Sequence, residues 1–302
     1  MNINTVGEIL RFYREKYSLN QNDVCAGICS VSTLSKIENG SKEADSLILE
    51  TLLERIGKEV LQFEMILNDY DYSLWELRRQ IETEMEHGRK DIARQLLQEY
   101  EKKMPQDDNV HSQFVLYHRI LLEDDKQIED RCAMANQALR YTCPDIEKAV
   151  LYHETEIELI ILLVQNRYTE FEEGKEWLAA ILKVVQDIYT GRQKEQISAK
   201  LLMELTMLEW NDKNYRGAIK CADKAIEVIS HSRSIDYIGE LHLIKAKALE
   251  KFYHDKDWDK EEDNCKNECL MSYYTFDIMK NENGKQEVQK FCEEKLQWQI
   301  IK

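Results

Sequence analysis

The sequence predicts an all-α protein with a small helical domain at its N-terminus and a long run of helix pairs behind it. Three observations point there. The 302 residues hold only ten glycines and two prolines, too few backbone breakers for the tight turns of a sheet protein. Leu, Glu, Lys and Gln, all good helix formers, are abundant. Apolar and small residues recur at helical spacing along the chain. The length suits a small domain joined to a larger one, and 32% charged against 43% hydrophobic residues describes a globular chain. The longest apolar stretch, Leu159 to Val164, falls far short of the ~18 residues that a membrane span needs. Met1 opens a polar segment rather than a signal peptide, so a cytoplasmic location and no membrane partner are expected.

The net charge of −16 at first argues against a nucleic-acid partner. Its distribution matters more. Residues 1–42 carry five basic side chains (Arg11, Arg14, Lys16, Lys36, Lys42) against four acidic ones (Glu8, Glu15, Asp23, Glu38). The acidity therefore lies downstream, and the N-terminal segment is free to approach phosphates. The eight cysteines read mainly as small apolar residues of an unexported chain. Cys25/Cys29 and Cys265/Cys269 each have the spacing of one helix face. No histidine or second pair lies at a matching interval, so neither a metal nor any other cofactor is expected.

In the N-terminal segment, Val6, Ile9, Leu10 and Tyr13 recur at helical spacing, with Arg11, Arg14 and Lys16 on the other side, giving a first amphipathic helix. Ser18-Leu19-Asn20 breaks it, and Asn20 caps a second short helix, Gln21 to Gly27, that buries Val24 and Cys25. Gly27-Ile28-Cys29 makes a tight turn. A third helix starts at Ser30 or Val31 and runs through Glu38, where Asn39-Gly40 supplies a left-handed C-cap. Two short helices around a brief glycine-containing turn make a helix-turn-helix unit. A fourth helix (Ser46 to Ile56) and a fifth (Glu59 to Leu67) complete a domain of residues 1–68, with Gly57 between them.

The run Leu19-Asn20-Gln21-Asn22-Asp23-Val24, followed by Ser30-Val31-Ser32-Thr33-Leu34-Ser35-Lys36-Ile37-Glu38-Asn39-Gly40, resembles the Cro/C1-type (XRE) DNA-binding domain. Leu34 and Ile37 fit an inward face, whereas Ser32, Thr33, Ser35 and Lys36 fall on positions that reach base edges in a major groove. The resemblance implies base reading by Ser32 and Lys36, thymine-methyl contact by Val31 and Thr33, and phosphate contact by Gln21 and Asn39. Ser30 reads as a cap. Glu38 reads as structural, because a carboxylate aimed at phosphate would weaken binding. The pattern departs from many relatives in lacking Gln or Arg on the third helix. The ~1–3 kcal/mol that a good bidentate pair contributes is mostly missing, so specificity should lean on paired half-sites and DNA shape.

From Ser73 the pattern changes to long helix pairs, a helical-repeat domain of residues 73–302 for which the family resemblance below implies regulatory and dimerisation roles. Gly88…Ile92-Ala93…Leu97…Tyr100…Pro105 and Asn214-Tyr215…Ala218…Ala222…Ala225 fit the second half of a tetratricopeptide unit. Looser copies run through Ile128…Ala135…Ala138 before Pro144 and through Tyr168…Phe171…Leu178. A last pair spans Ser234 to His254 and Trp258 to Lys280, with a capping helix from Lys285. Small residues allow close helix approach, while Tyr and Leu fill the grooves. The repeats stretch to roughly 38–47 residues instead of ~34, and the spacing alone would also fit a generic bundle. The full reading is a five-helix helix-turn-helix domain followed by a TPR-like α-solenoid. Such an array has a concave groove lined by the first helix of each pair, where Gln113, Tyr117, His153, Glu156, Met203, Met207 and Trp210 are candidate contacts.

An XRE domain ahead of such repeats resembles the peptide-responsive RRNPP regulators, PlcR-like members most closely. That resemblance implies a homodimer on double-stranded DNA whose repeats bind a short signalling peptide, the two ligand states differing in DNA-binding geometry. The alternative is a DNA-bound scaffold whose repeats hold a protein partner, or only the dimer, and no peptide. No phosphate-cradling glycine loop, nucleophile elbow or HExxH appears, so no enzyme activity is expected.

Overall fold

The computed structural model describes residues 5–58, 69–123, 127–166, 174–232, 235–254 and 258–300. All regular structure among the described residues is α-helical. The chain divides into two compact units, residues 1–172 with 187–189 and residues 173–186 with 190–302. The boundary expected near residues 68–73 thus falls inside the first unit. The expected helix Glu59–Leu67, and the repeat positions Tyr168 and Phe171, lie outside the described residues.

The first unit opens with α1 (Val6–Lys16), α2 (Gln21–Cys25), α3 (Val31–Glu38) and α4 (Ser46–Arg55). Each start is fixed by a side chain that satisfies an otherwise orphaned amide. Thr5 and Glu8 form a reciprocal capping box on α1, and Asn20 and Asp23 another on α2. Ser30 Oγ accepts from Thr33 N at 3.0 Å, and Asp45 Oδ1 accepts from Ile48 N at 3.0 Å. The apolar faces converge on Leu10, Val24, Leu34, Leu52 and Leu53, each at most 1% exposed. Gly7 lets α1 lie directly on the end of α3, because a Cβ there would stand 1.9 Å from the Ile37 carbonyl oxygen. The second helix ends two residues earlier than its sequence suggests. Ala26 (φ −52°, ψ 126°) and Gly27 (φ +76°) form a type II turn closed by Ile28 N to Cys25 O at 2.9 Å.

The unit continues through α5 (Asp69–Glu86), α6 (Lys90–Lys103), α7 (Asn109–Leu122), α8 (Ile128–Thr142) and α9 (Glu154–Gln165). Leu74, Leu77 and Ile81 of α5, Ala93, Leu97 and Tyr100 of α6, and Val115 and Leu122 of α7 share one apolar core. The small residues Ala135 and Ala138 of α8 are fully buried, as their register predicts.

The second unit takes in residues 174–186 of α10 (Gly174–Ile188), then α11 (Gly191–Asn211), α12 (Tyr215–Ser232), α13 (Ile238–Tyr253), α14 (Trp258–Ile278) and α15 (Glu282–Leu296). Ala218, Ala222 and Ala225 have no exposed surface. Ala222 and Ala225 pack with Ala199 and Leu202 of α11 and Leu241 of α13. A second core joins α13, α14 and α15 through Ala246, Cys265, Cys269, Phe276, Val288 and Cys292. The last pair and its capping helix thus lie within a few residues of their expected bounds.

Candidate nucleic-acid interface

The third helix is held by one edge and open along the other. Leu34, Ile37 and Glu38 are 0–3% exposed and face inward. Val31 is 43% exposed, and Ser32, Lys36 and Asn39 are also exposed, while Thr33 and Ser35 are half-buried. The helix closes in a Schellman motif, with Gly40 N to Ile37 O at 3.0 Å and Ser41 N to Lys36 O at 2.9 Å. Lys36 forms no ion pair among the described residues, so its ammonium is available to a ligand. Thr33 is less free, because its hydroxyl lies 2.9 Å from Ser30 Oγ.

Behind the helix sits a polar hub. Arg14 donates from Nε and Nη2 to the Glu38 carboxylate at 2.6 and 3.0 Å, and from Nη1 to the Leu19 carbonyl at 3.1 Å. Gln21 Nε2 donates to Glu38 Oε2 at 2.8 Å. Glu38 is therefore structural, as expected, and its hydrogen bonds raise the Arg14 pKa above the usual guanidinium value. Gln21 spends one of its amide hydrogens on this hub, which the sequence did not reveal. Asn39 Oδ1 accepts from Arg11 Nη1 at 3.3 Å, leaving its amide nitrogen as an outward donor. Arg11, ion-paired with Glu15 at 2.9 Å, and Lys42 are both exposed beside the C-terminal end of α3. Sequence reasoning counted them only as charge.

The α2–α3 turn and α4 are joined to α7–α9 of the same unit. Arg55, 3% exposed, donates from Nη1 to the carbonyls of Val24 (3.2 Å) and Ala26 (2.7 Å), and from Nη2 to the Thr142 carbonyl (3.1 Å) and Glu156 Oε1 (2.5 Å). Thr142 Oγ1 donates to the same carboxylate at 2.7 Å, and Gln113 Nε2 donates to Thr142 Oγ1 at 2.7 Å. Glu156 Oε2 accepts from His153 N at 3.0 Å. Burial opposes ionisation of Glu156, but Arg55 with these donors holds its pKa below the ordinary value. Burial takes the His153 imidazole down to about 4. The turn of the helix-turn-helix closes the joint: a Cβ on Gly27 would stand 2.0 Å from Thr142 O, and Asn109 Nδ2 donates to Gly27 O at 2.8 Å.

This joint corrects three of the expected groove contacts. Gln113, His153 and Glu156 are at most 2% exposed and turn toward α8 and α4, where they satisfy one another and Arg55. Helical spacing placed them on first helices but did not tell the open face from the joint. A charge inside an apolar run, such as Arg55 between Leu53 and Ile56, was the available signal for a buried pair. Tyr117 is half-buried, and its phenol is pushed up by burial and by the carboxylates of Glu158, Glu154 and Glu82, which belong to α9 and α5. In the second unit, Met203, Met207 and Trp210 are half-buried on α11. Met203 packs against the core, and the Trp210 ring lies 5.3 Å from that of Tyr215.

Among the described residues, no group of three or more His, Cys, Asp or Glu side chains is placed to hold a metal ion, and no helix is long and apolar enough to cross a membrane.

Residues 10–63 match the helix-turn-helix family model HTH_3. No curated protein matches the chain. Among solved structures, Bacillus thuringiensis PlcR in complex with the peptide PapR7 and DNA shares 16% identity at a TM-score of 0.57, over 95% of this chain and 99% of that one. PlcR in its apo form shares 16% at 0.55, over 94% and 97%. The apo form of the competence regulator ComR from Streptococcus vestibularis shares 15% at 0.51, over 95% and 96%. These neighbours are RRNPP-family regulators, and at such identities the likeness is one of fold.

Proposed function

We propose that this chain, with its XRE-type helix-turn-helix domain at the N-terminus, is a transcriptional regulator that binds double-stranded DNA in a sequence-specific manner. The observation that carries the reading is the open polar edge of α3, held rigidly from behind by the Arg14–Glu38–Gln21 hub. Val31, Ser32, Ser35 and Lys36 enter the major groove, with Thr33 near the helix start, and Asn39 and Gln21 stand at the flanking phosphates. The protein acts as a homodimer in the cytoplasm, without catalysis, and reads two half-sites. The functional division is a DNA-binding domain of residues 1–68 and a regulatory helical-repeat domain of residues 73–302.

The second ligand in this reading is a short signalling peptide on the repeats. PlcR, the solved neighbour crystallised with a peptide and DNA, supports that choice by fold. With Gln113, His153 and Glu156 committed to the joint, the remaining candidates are Tyr117 in the first unit and Met203, Met207 and Trp210 in the second. Selection of bound duplexes from a random-sequence pool tests the DNA reading. Enrichment of a two-fold symmetric sequence, with half-sites one helical turn or a multiple apart, is expected. A pool that stays random after repeated rounds would overturn it.

A further inference from the structure

We propose that Cys25 and Cys29 form a modification site for hydroperoxides, in which oxidation closes a disulfide across the turn that aims α3. This chemistry is independent of what α3 binds. The turn supplies the geometry. The Cys25 carbonyl accepts from Ile28 N at 2.9 Å and from Cys29 N at 3.0 Å. A carbonyl bonded to the amide four residues on sets the two Cα atoms about 6 Å apart, inside the span of a disulfide. The two thiols are close enough to shift one another's pKa, Cys25 down and Cys29 up.

Access and proximity coincide only here among the described thiols. Cys29 is partly exposed, whereas Cys25 lies beneath it at 1% exposure. Cys221 is also partly exposed but has no thiol beside it, and Cys265, Cys269 and Cys292 touch one another yet have no exposed surface. Buried thiols are inert because the oxidant must reach sulfur.

The step balances without a cofactor. Cys29 Sγ attacks a peroxide oxygen and gives its proton to solvent; the O–O bond breaks, an alcohol or water leaves, and Cys29 becomes a sulfenic acid. The Cys25 thiolate then attacks the Cys29 sulfur, the S–S bond forms, and the S–O bond breaks with loss of water. Two thiols and one hydroperoxide give one disulfide, one alcohol and one water. The neighbouring Cys29 thiol favours the Cys25 thiolate, burial opposes it, and the Arg55 guanidinium assists; the same pairing and burial raise the Cys29 pKa, so the proton stays on Cys29 until it meets the oxidant.

The turn is also tethered to its surroundings. Its carbonyls at Val24, Ala26 and Gly27 are held by Arg55 and Asn109, and Gly27 presses on Thr142. Ser30, the cap of α3, follows Cys29 directly. Shortening the sulfur–sulfur distance to a bond therefore strains the helix start and the joint together.

The experiment exposes the reduced full-length chain to hydrogen peroxide, alkylates the remaining thiols after unfolding, and maps the peptides by mass. A Cys25–Cys29 disulfide that dithiothreitol reverses is expected, with Cys221 unpaired and Cys265, Cys269 and Cys292 still alkylated. Amide exchange across residues 26–36 should change on oxidation. Recovery of both Cys25 and Cys29 alkylated, once Cys221 has been oxidised, would overturn the proposal, as would prior pairing within the buried trio. A disulfide that leaves exchange of residues 26–36 unchanged would overturn its effect on α3. Cys29→Ser should abolish the disulfide, while the wild-type mapping stands without any variant.

Discussion

The two compact units pack their helices with a different balance of polar and small-residue contacts. The first is joined through buried polar groups: Arg55, Glu156, Thr142 and Gln113 at one contact, and Asp71, Ser46 and Arg78 at another, where Ser46 N and Oγ donate to Asp71 Oδ1 at 3.1 and 2.9 Å and Arg78 Nη2 donates to Ser46 Oγ at 2.9 Å. The second is closed mainly by small residues, with Ala218, Ala222, Ala225 and Ala246 fully buried, and holds a polar cluster in which His242 and Lys245 of α13 pair with Glu268 of α14. Polar joints demand particular partners, since one missing partner strands a charge. Small-residue contacts demand only volume. The unit that carries the helix-turn-helix is therefore the more specified of the two, and the more fragile to single changes.

The largest expected effect follows from that difference. Arg55→Met leaves Glu156 buried without its cation and should lower stability by about 3–5 kcal/mol in urea unfolding. The paired Arg55→Met/Glu156→Met change should restore most of the loss, because two apolar side chains of similar volume need no partner. Equal losses in the single and the double variant would mean that the joint is held by shape and not by charge.

Acid should separate the units next. His118 and His153 are held neutral by burial, each with its pKa lowered from 6.5 to about 4. The unfolded chain takes up protons first as the pH falls, so the stability these residues contribute is complete above pH 6.5 and is lost progressively on the way down to about 4. Once the slower intrinsic exchange at lower pH is corrected for, amide protection in α7–α9 should fall as the pH is brought toward about 5. Protection in α7–α9 that does not change over this window would contradict the neutral assignment.

A smaller effect probes the apolar unit. Ala222→Leu inserts a side chain where α12 meets α11 and α13, and should destabilise by about 1–3 kcal/mol in the same urea assay. The smallest effect on stability is expected at the open edge. Lys36→Ala should shift folding by less than about 0.5 kcal/mol yet weaken DNA binding by about 1–3 kcal/mol.

Legibility from sequence follows the same division. The alanine register of α12 and the bounds of α13 and α14 were readable because periodicity reports burial, and burial is all that those contacts require. The third helix was readable because its caps and its apolar pair, Leu34 and Ile37, are local. Arg55 and Glu156 meet across 101 positions, and no local pattern names a partner at that range. The same limit misplaced Gln113, His153 and Glu156: a polar residue on a first helix has two faces to choose from, and the choice depended on a guanidinium contributed by α4.

The central claim is that α3 reads DNA through an open edge whose Lys36 contributes little to folding. It is tested most directly by titrating the duplex selected by the wild-type chain against Lys36→Ala, alongside urea unfolding of both proteins. The account predicts weakened binding with an unchanged unfolding midpoint. Unweakened binding by the variant at matched salt would contradict it.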